Sequence, residues 1–164
     1  MREQVGDIWE VACAARCITT NGELMSDKLT AVMGRGVALQ AKQRYPWIPA
    51  QLGNLLKAHG NHVYDLGEWE GVRLIAFPTK YYWRESSDVR LIRQSCKELR
   101  SLIFPETGLL DGMPRPRDFP KLTGVVAMTR PGCGNGNLSW EQIKPILEQE
   151  LPEDNFVVLQ PPSS

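Results

Sequence analysis

Short apolar runs and longer amphipathic stretches take turns along the chain. Residues 11–19 combine small and β-compatible side chains and end at Thr20-Asn21-Gly22, which predicts a strand running into a turn. After a loop through Ala31, Gly34-Arg35-Gly36 opens a stretch, 37–45, whose Ala, Leu, Gln and Lys favour a helix that Pro46 stops. A second helix is predicted over 50–59, closed by Gly60. Two short strands, 63–66 and 72–77, are joined around Glu70-Gly71, and the second delivers Pro78-Thr79-Lys80 at its end. Ser86-Ser87-Asp88 supplies capping oxygens to a helix in which Val89, Ile92, Cys96, Leu99 and Leu102 or Ile103 recur every three or four residues. Residues 104–120 hold four prolines with Gly108 and Gly112, and read as an irregular excursion within the domain. A strand over 124–129 runs into Pro131-Gly132-Cys133-Gly134-Asn135-Gly136. Ser139 and Gln142 then form a capping box at the head of a helix reaching about Glu150, and 156–159 is a last apolar strand. Alternating strands and helices predict an α/β fold, a mixed sheet of about six strands with helices on both faces.

At 164 residues, 42% hydrophobic with five Trp, the chain is expected to be one domain, 1–164, with one site. Its 19 basic and 19 acidic residues cancel, so no overall field draws it to nucleic acid or to a membrane surface, and any anion must be held locally. No apolar run approaches the roughly 18 residues that span a bilayer, and the first ten residues lack a signal-peptide layout. A cytoplasmic location without membrane contact is expected. Cys13, Cys17, Cys96 and Cys133 have neither zinc-site nor disulfide-scaffold spacing and are expected as reduced thiols. His59 and His62, with no further ligand at suitable spacing, do not predict a metal site.

Two strand–loop–helix units place glycines where the strand ends, at Gly34/Gly36 and at Gly132/Gly134/Gly136. Glycine lets a ligand approach the backbone, and the helix that follows offers free N–H groups to an anion. Two such loops facing one another would clamp a diphosphate. Each alone is also what an ordinary turn looks like. Neither is a P-loop, since no Gly-Lys-Ser/Thr follows, and the spacing is not that of a dinucleotide fingerprint.

Gly6-Asp7-Ile8, Thr20-Asn21, Val32-Met33-Gly34-Arg35-Gly36-Val37-Ala38, Phe77-Pro78-Thr79-Lys80 with Trp83-Arg84, and Pro131 to Gly136 before Leu138-Ser139-Trp140 follow one another in the order found in macro domains. The chain resembles in particular the branch holding terminal ADP-ribose glycohydrolase and the antitoxin to a toxin that ADP-ribosylates thymidine in DNA. The resemblance implies an ADP-ribose site. Asp7 would accept from the adenine amino group, with Ile8 lining that end. Gly34, Arg35, Gly36 and Val37 would wrap the diphosphate from one side, and Pro131, Gly132, Cys133, Gly134, Asn135 and Gly136 from the other. Asn21 would hold the distal ribose beside the catalytic Lys80. No cofactor is implied, and ADP-ribose is ligand or product. Three features depart from the pattern. Gly136 stands where terminal ADP-ribose glycohydrolase has an acidic residue, 21–30 is longer than expected, and the chain ends without the antitoxin's usual second domain.

The implied reaction is hydrolysis of the bond between ADP-ribose and a macromolecule, with DNA thymidine favoured over protein carboxylates. Lys80 would act as a neutral amine attacking the anomeric carbon, its pKa lowered by burial or by a neighbour such as Arg84, or as an ammonium supplying charge. The residues leave both open. Tyr82, Trp83 and Arg84 interleave aromatic and basic groups and are candidate contacts to the macromolecule; the alternative is that Tyr81 and Trp83 pack in the core. A non-catalytic reader, and an enzyme acting on ADP-ribose phosphate or acetyl-ADP-ribose, are the competing readings. The expected partners are ADP-ribose, ADP-ribosylated DNA or protein and a cognate ADP-ribosyltransferase, with the chain itself a monomer.

Overall fold

The computed structural model describes residues 1–107 and 119–162, so most of the Pro/Gly-rich excursion lies outside the described residues. Six strands form one sheet: β1 (Arg2–Val5), β2 (Ala15–Asn21), β3 (Tyr64–Trp69), β4 (Val72–Lys80), β5 (Val126–Thr129) and β6 (Phe156–Gln160), in the order β1-β6-β5-β2-β4-β3. Every pairing is parallel except β3 with β4. The helices are α1 (Gly36–Arg44), α2 (Ile48–His59), α3 (Val89–Ile103) and α4 (Trp140–Glu150).

Strand alternation sorts the core into two layers. Cys17, Ile75, Phe77, Val126, Met128, Phe156 and Val158 face α3 and α4, whose Ile92, Cys96, Leu99, Ile143 and Leu147 close that side. Ile18, Leu74 and Ala76 face the other way and meet Ala38 and Ala41 of α1 and Ile48, Leu52 and Leu56 of α2. Each fully buried Val, Leu, Ile, Phe or Met side chain among these contributes about 1.5–3 kcal/mol. Asp88 caps α3 by accepting from the N–H groups of Arg90 and Leu91, and Ser139 caps α4 by accepting from Gln142, as the sequence predicts.

Three differences from the sequence reading have identifiable causes. β2 begins at Ala15, not residue 11, because the Glu10 and Val11 N–H groups donate to the carbonyl of Asp7 and hold 7–11 in a turn. β4 runs on to Lys80, so the lysine is the last residue of the strand and not a position beyond it. β1 has no apolar face to betray it. All four of its residues are exposed, and it is held by pairing with β6 at the far end of the chain.

Candidate functional site

The parallel strands β2, β4 and β5 all end at the same edge, and from β2 the chain passes to α1 on one face while from β5 it passes to α4 on the other. A crevice must open where the connections part, at the carboxyl ends of the strands. It does: a cavity of about 490 Å³ is lined by Thr19, Thr20 and Asn21 of β2, Thr79 and Lys80 of β4, Thr129 and Arg130 after β5, and the two glycine loops.

The loops differ in construction. The first leads straight into α1: its N-cap Arg35 makes no side-chain capping bond, and Gly36, Val37 and Ala38 of the first turn line the cavity. Their N–H groups and the positive end of the helix dipole face an incoming anion. The second loop has no helix directly behind it, since α4 starts only at Trp140 and its cap is satisfied by Ser139. The second loop therefore offers its own backbone to the cavity, where the sequence reading has the N-terminus of the following helix supply N–H groups.

Nor are the glycines equivalent. A Cβ built on Gly34 or Gly134 meets nothing within 4 Å, so these two border open space. A Cβ on Gly136 lies 2.5 Å from the Gly132 carbonyl oxygen and 2.8 Å from its Cα, and Gly132 has φ +78° with Ile92, Leu138 and Ser87 packed against it. Gly132 and Gly136 therefore shape the loop, and Gly34 and Gly134 leave the backbone open to the cavity. The loop is closed by the Ser87 N–H donating to the Gly136 carbonyl and by Leu138 donating to Gly132, each at 2.9 Å.

Lys80 reaches between the loops. Its Nζ donates to the Asn135 carbonyl at 3.0 Å and to the Trp83 carbonyl at 3.4 Å. Burial first, and the Arg35 guanidinium second, hold its pKa below the ordinary lysine value. The neighbouring cation is thus Arg35, not Arg84. Arg35 and Arg84 both lie on Trp83, with guanidinium carbons 4.8 and 4.9 Å from the indole centroid. Asn21 pairs with Lys80 across β2 and β4; its Nδ2 donates to the Val32 carbonyl at 3.2 Å and its Oδ1 accepts from the Glu23 N–H at 3.0 Å. It is a turn former and a cavity residue at once.

Asp7 is exposed and outside the cavity lining; its Oδ1 accepts from the Trp9 N–H at 2.8 Å. Ile8 is buried in a cluster that also packs Val37, a lining residue, which places Asp7-Ile8 at the α1 end of the crevice. Pro131 and Cys133 are not in the lining. The Cys133 side chain packs on the core, with Sγ 3.6 Å from the Pro131 carbonyl, and burial raises its thiol pKa. Tyr81 and Tyr82 are exposed at 47% and 56%, and Trp83 lines the cavity, so this run does not pack in the core. His62, on the far side of Asn61, is paired by Nδ1 with the buried Glu98 at 2.8 Å. All four cysteines are free. No helix among the described residues is long and apolar enough to cross a membrane.

Sequence reasoning missed Arg130 and Ser87. Arg130 stands on Trp140, with its centroid 5.0 Å from the guanidinium carbon, and bonds Gln160 at 3.2 Å. It follows a predicted strand, and that was its only signal. Ser87 looks like a spare cap in sequence, but Asp88 takes the cap and leaves the Ser87 Oγ buried and unpaired beside the second loop.

A six-stranded mixed sheet clasped by helix pairs, with a crevice between two glycine loops at the strand ends, is the architecture of a macrodomain, and this chain has that fold. Among the proteins it resembles are the macrodomains of two DarG proteins and, in sequence, proteins named DNA ADP-ribosyl glycohydrolase. The macrodomain of Mycobacterium tuberculosis DarG superposes with a TM-score of 0.71 at 29% identity, covering 99% of this chain and 97% of that one. That of Thermus aquaticus DarG gives 0.71 at 25% identity, covering 98% and 97%. In sequence, the DNA ADP-ribosyl glycohydrolase of M. tuberculosis is 33% identical over 140 residues, 79% of this chain. The chain spans about a third of the curated relatives it matches, 35% for that protein. No family model matches the chain.

Proposed function

We propose that the chain binds ADP-ribose in this crevice and hydrolyses the bond joining it to a base in DNA, with Lys80 as the catalytic residue. The observation that carries the reading is the seat of Lys80: a partly desolvated amine at a strand end, held by a carbonyl of the second loop and repelled by the arginine of the first. DNA as substrate is supported by the relatives named DNA ADP-ribosyl glycohydrolase.

In this reading Asp7 and Ile8 take the adenine, while Arg35, the first-turn N–H groups of α1 and the open backbone at Gly134 take the diphosphate. Binding energy gathered there positions the distal ribose against Asn21 and Lys80. Two of the tetrahedral positions on Nζ are directed to carbonyl oxygens, and the remainder meets the anomeric carbon. As a neutral amine, Lys80 uses its lone pair there: the new C–N bond forms, the base departs with the electrons of the old one and takes a proton, and water then releases ADP-ribose and the amine. As an ammonium it donates to the leaving base while water adds. An enzyme that attaches ADP-ribose to DNA must supply the substrate.

The test is to offer ADP-ribosylated DNA and ADP-ribosylated protein side by side and follow free ADP-ribose. Release from DNA at a higher kcat/KM is expected. Tight ADP-ribose binding without release from either substrate would make the chain a reader.

A further inference from the structure

Beside the crevice lies a surface outside the cavity lining. The turn that follows β4, residues 81–84, carries two neighbouring phenol rings that are 47% and 56% exposed, a half-buried indole and a guanidinium. Trp83 marks the border. It lines the cavity and has Arg35 of the first loop on its ring, whereas Arg84, also on the ring, stands outside the lining with Tyr81 and Tyr82. Among the described residues neither Arg35 nor Arg84 has a carboxylate partner; Glu85, the one acid beside the turn, is not ion-paired with either. The turn is also tied to the Lys80 side chain, since the Trp83 carbonyl accepts from its Nζ at 3.4 Å, and it is closed on itself by the Glu85 N–H donating to the Tyr82 carbonyl at 3.1 Å.

We propose that the turn at 81–84 is a docking strip for single-stranded DNA flanking the modified base, with Tyr81 and Tyr82 stacking on neighbouring bases and Arg84 meeting a backbone phosphate. The inference rests on the hydrolase reading and adds what holds the rest of the substrate. Exposed aromatic rings next to an unpaired cation fit bases and phosphates alternating along a strand. A net charge of zero leaves such contacts to local groups. A single strand fits the strip best, because a base stacked in a duplex must first be flipped out, at an unstacking cost, before its ADP-ribose can enter a crevice. A peptide substrate offers neither a repeating phosphate nor stacked rings for this strip.

The experiment uses Tyr82→Ala and Arg84→Gln, both at exposed positions, against two substrates: an ADP-ribosylated single-stranded oligonucleotide and ADP-ribosylated thymidine as a mononucleoside. Each variant should raise KM for the oligonucleotide about tenfold, within the range of one lost stacking or phosphate contact, and leave kcat/KM for the mononucleoside unchanged. Binding of an unmodified oligonucleotide, read by fluorescence anisotropy at low salt, tests the strip apart from turnover. The parent should bind, both variants should bind at least fivefold more weakly, and Arg84→Gln should flatten the dependence of log affinity on log salt by about 0.7. A parent that binds the oligonucleotide but releases no ADP-ribose would overturn the hydrolase reading and leave the strip standing. Equal losses on oligonucleotide and mononucleoside, an equal loss on ADP-ribosylated protein, or oligonucleotide binding unchanged in the variants would overturn the strip.

Discussion

Asn21 and Lys80 stand opposite each other across the β2–β4 pair, just past a shift in register that passes over Thr79. The irregularity falls where two parallel strands end at a ligand crevice, a usual place for a device that re-aims a side chain. The backbone on both sides is pinned: the Lys80 carbonyl accepts from Asn61 Nδ2 at 3.0 Å and from the Gly22 N–H at 3.1 Å, and Asn21 is bonded at both ends of its amide. The backbone of the pair is thus fixed from both strands, and the lysine amine is held in turn by the Asn135 and Trp83 carbonyls.

The first prediction concerns its proton. With burial and Arg35 both disfavouring the ammonium, the pH dependence of kcat/KM, which reports the free enzyme, should rise through an inflection below the ordinary lysine value if the neutral amine is the nucleophile. Arg35→Gln removes the second cause, so the ammonium is less disfavoured and the inflection moves up. Each unit of rise takes about tenfold of the neutral amine away at neutral pH. An inflection that stays in place in Arg35→Gln would separate Arg35 from the titration.

The glycines of the second loop should part company under substitution. Gly134→Val meets open space, so the protein should keep its melting temperature and lose the stabilisation that ADP-ribose confers. Gly136→Ala drives a methyl onto the Gly132 backbone and should cost about 1–3 kcal/mol of stability with no ligand present. Thermal melts with and without ADP-ribose distinguish the two, and a Gly134→Val protein that still responds to ADP-ribose would remove the diphosphate from that loop.

At the other end of the crevice, Asp7 has one oxygen committed to the Trp9 N–H. Asp7→Asn keeps an acceptor for that turn and presents an amide to the adenine amino group. Stability should hold, and ADP-ribose affinity should fall by about 1–3 kcal/mol, the worth of a charge-assisted hydrogen bond. The inosine counterpart should lose less. Titration calorimetry with both ligands checks it, and equal affinity of the parent for the two would sink the adenine assignment.

What sequence could reveal follows the range of the forces. α3 was legible because its apolar face repeats locally and Asp88 caps it, and β5 and β6 because they are unbroken apolar runs bounded by turns. β1 was not, since all of its information lies in a partner strand more than 150 residues away. In the site, the glycine loops and Lys80 stood out. That Gly132 and Gly136 serve the loop while Gly34 and Gly134 border space could not be read, because spacing is the same for both kinds. Which arginine faces Lys80 was equally hidden: Arg84 is near in sequence, yet Arg35 is the one whose charge acts on it.

The role of Lys80 is read from Lys80→Ala, assayed for release of ADP-ribose from modified DNA alongside binding of free ADP-ribose. The adenine and diphosphate contacts proposed above do not involve Lys80, so affinity should stay within a few-fold of the parent. Turnover should fall by about two orders of magnitude or more, as for a group acting mainly in the transition state. Lys80→Arg, whose guanidinium stays protonated, should be as inactive as Lys80→Ala if the amine is the nucleophile, and should retain substantial activity if only its charge is used. Undiminished release of ADP-ribose by Lys80→Ala would contradict the account.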